Sequence, residues 1–175
     1  TDPGAEDTNI ETNNGLNYWG SSYNDFGQSV YETADGGYAV VGSQYSTNTQ
    51  EDLVLVKFNS SLEFESSAKY SAEGMDSIFN NTANDIMQTA DGGYITVGST
   101  YNGLNYDVLV VKFSPLLAIT WQDTIKGNYD DVGNSIHEIE TGYIVCGTSY
   151  DGTDDDIMLW KITVADDGTP GYSVL

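Results

Sequence analysis

Apolar and polar positions alternate along this chain in short runs that are typical of β-strands, and the pattern occurs three times. In the first occurrence, alternating residues at Ser29 to Thr33 lead into a turn, and a second run follows at Tyr38 to Val41. This arrangement predicts a β-hairpin whose turn needs a residue with positive φ, which glycine adopts most easily. The predicted turn glycines are Gly36, Gly37, Gly92, Gly93 and Gly142.

The third run of each repeat is apolar at consecutive positions rather than at alternate ones. These runs are Leu53 to Phe58, Val108 to Phe113 and Ile157 to Ile162. A strand of this kind must be covered on both faces, whereas the strands of a simple two-sheet sandwich expose one face to solvent. The pattern therefore favours sheets stacked face to face around an axis, as in the blades of a β-propeller.

The three repeats are similar enough to align residue by residue. They place Tyr38, Tyr94 and Tyr143 together, and likewise the lysines Lys57, Lys112 and Lys161, with a period of 56 and then 49 residues. A fourth strand is predicted just before each repeat, at Leu16 to Trp19, Ser66 to Tyr70 and Ile119 to Lys126. Four strands in about 50 residues match a propeller blade, slightly longer than the ~40–45 residues of the commonest propeller repeat.

We therefore predict an all-β, propeller-like fold of three four-stranded antiparallel blades in a single repeat domain, residues 1–175. The blades are predicted at about 16–58, 66–113 and 119–162, and residues 163–175 form a surplus C-terminal strand for closure or exchange. Closed propellers have four to eight blades, so three blades leave open faces and edges that copies of the chain would cover. Two chains would form a six-bladed ring if the contact closes, or a filament if it does not. The predicted assembly strand is Tyr172, Ser173, Val174 and Leu175.

Two of the repeats carry a longer motif. Thr-x-Asp-Gly-Gly-Tyr-x-x-x-Gly occupies Thr33 to Gly42 and Thr89 to Gly98, and Asp-x-x-x-x-Lys-Phe follows each. Over roughly Leu16 to Ile162 the chain resembles the tandem Asp-Gly-Gly-Tyr repeats of secreted and cell-surface bacterial and archaeal proteins, and the third repeat departs at its turn. The resemblance implies propeller-like blades and an extracellular binding, adhesive or structural module, without a particular reaction.

The net charge of the chain limits the kinds of partner that it is expected to bind. Five lysines and no arginine stand against 27 acidic residues, which gives a net charge of −22. Such a surface disfavours nucleic acid and anionic membrane surfaces as partners. Three explanations of the acidity stay open, namely adaptation to salty water, neutralisation by divalent cations, and a soluble surface without a specific role. The apolar runs are too short for a membrane span, so no membrane insertion is expected.

Catalytic motifs are missing from the sequence. The only histidine, His137, occupies the strand position of Tyr31 and Met87, so a zinc site or a histidine-dependent triad is not expected. The only cysteine, Cys146, occupies a position held by valine in the other repeats and is predicted to be a buried small apolar residue. We predict that the protein is not an enzyme and that its recurrent lysines form structural ion pairs, with Asp25, Asp85 or Asp131 as partners.

Some polar loops are candidates for binding or modification. The carboxylates of Asp151, Asp154 and Asp155, and separately of Asp130 and Asp131, are dense enough to hold a calcium ion, although a solvated polar turn ahead of a strand is the favoured explanation. No other cofactor is predicted. Asn59 and Asn80 head glycosylation sequons. The 13 tyrosines would line a glycan-binding surface or, alternatively, fill strand positions between blades.

We conclude from the sequence that the protein is a non-enzymatic, extracellular or cell-surface structural and adhesive component. It is expected to self-associate through blade faces and strand addition, as a closed oligomer or a filament. The alternative is a glycan- or calcium-binding propeller module excised from a longer secreted tandem-repeat protein.

Overall fold

A computed structural model of the chain describes residues 18–47, 50–71, 80–165 and 170–174. Over these ranges the structure is all-β and forms three four-stranded antiparallel sheets in a propeller-like arrangement that does not close. The predicted fold class is confirmed. In the same ranges no helix has the length and apolar character needed to cross a membrane.

Each sheet is a meander, in which every strand pairs with the next one along the chain. The first sheet consists of β1 (Asp25–Glu32), β2 (Tyr38–Thr47), β3 (Gln50–Phe58) and β4 (Phe64–Tyr70). The second consists of β5 (Asn81–Gln88), β6 (Tyr94–Tyr101), β7 (Tyr106–Phe113) and β8 (Ile119–Ile125). The third consists of β9 (Asp131–Ile139), β10 (Gly142–Tyr150), β11 (Asp155–Val164) and β12 (Pro170–Val174).

The fourth strand of each sheet follows the apolar third strand, which corrects the predicted blade boundaries. The segments predicted to open the second and third blades are β4 and β8, and they pair with β3 and β7. The sheets therefore span 25–70, 81–125 and 131–174. Tyr18 and Trp19 lie in no strand, and Leu16 lies outside the described residues. Short turns such as 59–63 link third and fourth strands, and the small closure entropy of such loops favours this local pairing.

The predicted C-terminal strand is present as β12. It pairs antiparallel with β11 and thereby forms the fourth strand of the third sheet. The edge of β11 is its nearest partner along the chain, so no neighbouring subunit is needed to receive it. The prediction that Tyr172, Ser173 and Val174 exchange into another sheet is therefore wrong for this arrangement, and Leu175 lies outside the described residues.

The core lies between the sheets. We call the packing of the first sheet on the second the first joint, and that of the second on the third the second joint. Leu109 and Val111 of β7 point into the first joint, and Val108 and Val110 point into the second. The middle sheet is thus covered on both faces, as the consecutive apolar residues predict. We call the side facing the preceding sheet the front face and the other side the rear face, and use the same names for equivalent positions in all three sheets.

The first strand of each sheet lies innermost. β5 contacts β1, β2 and β3 of the first sheet, and β9 contacts β5, β6 and β7 of the second. Both β5 and β9 carry a bulge, as does β1. The innermost strand therefore carries much of the packing between neighbouring sheets.

A repeated glycine lets the second strand approach this bulge. A Cβ atom added at Gly42, Gly98 or Gly147 would overlap the carbonyl oxygen of Phe26, Thr82 or Val132 on the neighbouring first strand. The final glycine of the sequence motif is therefore required by close backbone contact rather than by an unusual φ.

We predict that Gly98→Ala lowers the free energy of unfolding by about 1–3 kcal/mol, because the added methyl group must displace the backbone of β5. Chemical denaturation measures this change. Gly27→Ala is the matched control, since a Cβ there meets no atom within 4 Å. Equal stability of the two variants would contradict the close-contact explanation.

Candidate functional site

The first hairpin turn is held by one carboxylate. Asp35 accepts hydrogen bonds from the hydroxyl of Thr33 and the amide of Gly37, and the Nζ of Lys57 lies 2.5 Å from its Oδ2. Glu65 also pairs with this lysine, at 2.8 Å. These contacts explain why threonine, aspartate, glycine and lysine recur together.

The second turn repeats the arrangement. Asp91 accepts from Thr89, Gly93 and Lys112 at 2.6, 2.8 and 2.9 Å. The recurrent lysines do form structural ion pairs in the first two sheets, but with the turn aspartates rather than with Asp25, Asp85 or Asp131. The first of the two glycines in each turn has the positive φ that the sequence predicts, 80° at both Gly36 and Gly92.

The turn contacts shift the pKa values of Asp35 and Asp91. Burial raises the pKa of Asp91, but the hydrogen bonds from Thr89, Lys112 and Gly93 outweigh it and lower that pKa to about 2. Hydrogen bonds from Lys57, Thr33 and Gly37 likewise hold the pKa of Asp35 well below its usual range. The folded state therefore stabilises the ionised form of both groups.

The third repeat lacks this arrangement of turn residues. Its segment from Ile139 to Gly142 is one residue shorter than Thr33 to Gly37 and lacks the aspartate, and Gly142 has a φ of 139°. Lys161 has no ion pair among the described residues, whereas its two counterparts do. Within the part of the chain that the structure describes, the rear face of the third sheet therefore carries a lysine without an ion-pair partner.

Polar contacts cross both joints at the start of the third strands. The backbone N–H of Glu51 donates to Oδ1 of Asn80 at 3.2 Å across the first joint. The N–H of Tyr106 donates to Oδ1 of Asp130 at 2.8 Å across the second. In each case a backbone N–H at the start of a third strand donates to a side chain at the entrance to the next sheet.

Two further contacts link the inner ends of the sheets. The N–H of Ala34 donates to Oε1 of Gln88 at 2.7 Å, and the N–H of Ala90 donates to Oε2 of Glu138 at 2.9 Å. Asp85 lies between the first strands and accepts from the hydroxyls of Ser29 and Ser135 at 3.0 and 2.8 Å. The joints are therefore fixed in register by hydrogen bonds as well as by apolar packing.

The rear face of the third sheet is uncovered. Ile157 is 93% exposed and Leu159 is 46% exposed, although their counterparts Leu53, Leu55, Val108 and Val110 are all at 0%. Cys146 is exposed as well, which corrects the prediction that it is buried. The prediction failed because the position is buried only where another sheet packs on it, as at Val41 and Val97.

Acidic residues are absent from the central positions of this rear face. Its central positions are occupied by apolar, small polar and basic side chains. They are Ile144, Cys146 and Thr148 on β10, Ile157, Leu159, Lys161 and Thr163 on β11, and Ser135 and His137 on β9. Asp155 lies on the same face but at the end of β11. In a chain with 27 acidic residues, a sheet face without carboxylates at its centre resembles an interface rather than ordinary solvated surface.

The front face of the first sheet is exposed only in part. Val30 is 63% exposed, whereas its counterparts Ile86 and Ile136 are 2% and 5% exposed in the two joints. The centre of this face is buried, since Val54 and Val56 of β3 are 4% and 3% exposed. A cleft of about 230 Å³ lies on this side and is lined by residues that include Trp19, Val40 and Phe58. Among the strands that the structure describes, the rear face of the third sheet is therefore the one that is open at its central positions.

The predicted calcium ligands do not gather at one place. Asp151, Asp154 and Asp156 lie within 4.8 Å of one another and are exposed, while Asp155 is not part of the group. Asp151 already accepts the backbone N–H groups of Thr153 and Asp154 in its own turn. The carboxylates thus have a local structural role, and calcium binding stays a prediction.

The other predicted pair of ligands belongs to the second joint. Asp130 accepts the amide of Tyr106, and Asp131 is buried. Burial raises the pKa of Asp131, a hydrogen bond with Ser149 lowers it, and the nearby charges of Asp107 and Asp130 raise it further. Oδ1 of Asp107 is itself buried without a hydrogen-bond partner. The raised pKa of Asp131 thus reflects the burial of an acidic group between sheets, which disfavours its ionised form.

Both predicted glycosylation sites are engaged in structure. Asn59 accepts the N–H groups of Ser61 and Glu63 and donates to the Glu63 carboxylate, which closes the turn between β3 and β4. Asn80 spans the first joint as described above. The Asn80 contact could not be predicted from the sequence, because its partner Glu51 lies 29 residues away in another sheet.

Comparison with protein-family models gives no match to this chain, and comparison with curated proteins gives none either. The resemblance to tandem Asp-Gly-Gly-Tyr repeats stays a prediction, and so does the absence of enzymatic activity.

We predict that Asp91→Asn reduces the loss of stability on acidification. The folded pKa of about 2 lies below the unfolded value of about 3.9, so the contribution of Asp91 is complete above about pH 4 and is lost as the pH falls towards 2. Urea unfolding of both proteins between pH 5 and pH 2 measures the difference. Asp155→Asn, at an exposed carboxylate, is the control, and an identical pH dependence in wild type and Asp91→Asn would refute the prediction.

Proposed function

We propose that this protein is an extracellular structural component that self-associates through the uncovered rear face of its third sheet. The observation that carries the proposal is the exposure of Ile157, at a position that is fully buried in both other sheets. Single exposed apolar residues are ordinary on protein surfaces. Here the exposed residues continue the core pattern of the joints, so the face has the composition of an interior surface without a cover.

The free energy gained by burying exposed apolar side chains favours covering the rear face. Burying an exposed isoleucine or leucine side chain contributes about 1.5–3 kcal/mol. Association itself costs at least about 4 kcal/mol in translational and rotational freedom, so several such side chains must be buried together. Ile157 and Leu159 on the rear face and Val30 on β1 are available for this.

The charge distribution is compatible with assembly. Two copies at −22 repel each other at long range, and this repulsion is screened beyond about 8–10 Å at moderate salt. The rear face contributes no carboxylate at its centre, so contact there does not bury acidic groups against each other. An extracellular setting is supported by the resemblance of the repeats to those of secreted proteins.

A glycan- or calcium-binding module is the weaker alternative. Its support is the triad of Asp151, Asp154 and Asp156, which are exposed, and the Asp151 carboxylate is already held by backbone amides of its own turn. No comparable feature distinguishes the triad from a polar loop, so self-association explains more of the molecule.

We predict that Ile157→Glu weakens self-association by about tenfold or more, because a charged group would have to be desolvated in the contact. Light scattering coupled to size-exclusion chromatography measures the species present across a range of concentrations. Leu104→Glu is the matched control, since Leu104 is 90% exposed in a loop outside both faces. A wild-type chain that stays monomeric at high concentration would contradict the proposed function.

Cys146 offers an independent reporter, because it is the only cysteine and lies on the rear face. We expect a thiol reagent to modify it rapidly in dilute wild-type protein and at least about tenfold more slowly once the protein is assembled. In Ile157→Glu the fast rate should persist at every concentration. Unchanged reactivity in assembled wild type would show that assembly uses another surface.

A further inference from the structure

We infer that the rear face of the third sheet is covered by the same face of a second copy, in a symmetric contact about a two-fold axis. This inference rests on the proposed function and adds the identity of the partner and the orientation of the contact. A two-fold contact uses one surface twice, so it closes at a dimer and needs no second open face on the molecule. The described strands offer such a surface at Ile157 and Leu159.

The rear-face side chains of β11 form a series that complements itself when it is reversed. Successive residues of a strand point to opposite faces, so every second residue of β11 lies on the rear face. Along the strand these residues are Asp155, Ile157, Leu159 and Lys161. The series is acidic at one end, apolar in the middle and basic at the other end. An antiparallel second copy therefore brings its Leu159 against Ile157 and its Lys161 against Asp155.

Lys161 needs a carboxylate that its own sheet does not supply. At the equivalent positions Lys57 and Lys112 pair with the turn aspartates of their own sheets. The side chain of Lys112 is only 5% exposed and keeps this partner, because a buried ammonium group without one is costly. The third turn lacks the aspartate. When the rear face is covered, the covering molecule therefore has to bring the carboxylate for Lys161.

Asp155 is the carboxylate that a second copy brings to this position. Within one chain Asp155 and Lys161 lie about 20 Å apart along β11, at about 3.4 Å per residue, so they cannot pair with each other. Asp155 is exposed and has no ion pair in the part of the chain that the structure describes. Across a two-fold axis each copy supplies one aspartate and one lysine, and two ion pairs form at opposite ends of the contact.

Other arrangements of the same two faces are less favourable. A two-fold axis parallel to the strands would bring both Asp155 carboxylates to one end of the contact and both Lys161 side chains to the other, where like charges repel. An axis at the level of Leu159 would place Lys161 against Ile157 and bury its charge without a partner. The antiparallel arrangement centred between Ile157 and Leu159 is therefore the one in which each charge meets its opposite.

The rear face has the size that a specific dimer needs. Its strands β9, β10 and β11 have 9, 9 and 10 residues, and β12 has 5. At about 3.4 Å per residue and about 4.8 Å between strands, the face measures roughly 500 Å². Two copies together cover roughly 1,000 Å², which reaches the lower size range of specific protein–protein interfaces.

The experiment reverses one charge at a time. Asp155→Lys sets a lysine against Lys161 of the second copy, and Lys161→Glu sets a glutamate against Asp155. A symmetric contact contains each substitution twice, so each variant alone should dimerise at least about tenfold more weakly than wild type. Circular dichroism and thermal unfolding verify that both variants fold, and sedimentation velocity measures the dimerisation.

An equimolar mixture of the two variants tests the pairing directly. The introduced lysine of one chain then meets the introduced glutamate of the other, and the native Lys161 of the first meets the native Asp155 of the second. The mixture should therefore form dimers with an affinity within about threefold of wild type, since both ion pairs are restored. Slower thiol modification of Cys146 in the same mixture locates the contact on the rear face.

Two variants with matched charge changes serve as controls. Asp156→Lys alters the next residue of β11, whose side chain points to the other side of the sheet, and Lys126→Glu alters an exposed lysine outside the third sheet. Both should dimerise like wild type. If they weaken the dimer as much as Asp155→Lys and Lys161→Glu do, net charge rather than the proposed pair governs assembly, and the inference is overturned.

The remaining outcomes separate this inference from the proposed function. If wild type assembles but the mixture stays monomeric, the two-fold contact is wrong and self-association stands. The same conclusion follows if wild type forms species larger than a dimer, or if Asp155→Lys and Lys161→Glu each dimerise as tightly as wild type. A wild-type chain that stays monomeric would overturn the proposed function itself.

Discussion

The structure depends on one constraint, which is that the third strand of each repeat is apolar on both sides. A single four-stranded sheet cannot cover such a strand, so each sheet needs a neighbour in front and a neighbour behind. Within one chain only the middle sheet has both, and its strands β6 and β7 are almost wholly buried. The third sheet keeps an exposed rear face that carries the residue pattern of a core, whereas β3 of the first sheet is buried on both sides, with Val54 and Val56 at 4% and 3% exposure.

Hydrogen bonds give the stacking its direction. Apolar packing between sheets tolerates sliding, whereas the amides of Glu51 and Tyr106 reach acceptors only when the next sheet is in one register. Asp85 adds a central contact between three first strands. The backbone amides of Glu51 and Tyr106 donate from the preceding sheet to side-chain acceptors at the start of the following one, so these contacts give the stack of sheets a direction.

The third repeat differs from the other two where it meets solvent. In the first two sheets the turn aspartate is held by threonine, glycine and lysine, which closes the hairpin and neutralises the lysine. The third sheet has a shorter turn, and its lysine stays available on the open face. The local change in the turn therefore alters the chemistry of the surface that a partner would meet.

The amino-acid sequence by itself determined the class of fold, the number of sheets and the need for cover on both faces, because strand periodicity and turn glycines are local properties. It did not determine which sheet β4 and β8 join, because each of them lies between two sheets along the chain. The length of the connecting loops and the geometry of the sheet edges decide that pairing. It also misplaced the lysine partners and the exposure of Cys146. Those depend on distances between residues far apart in sequence, and only the stacking of the sheets sets such distances.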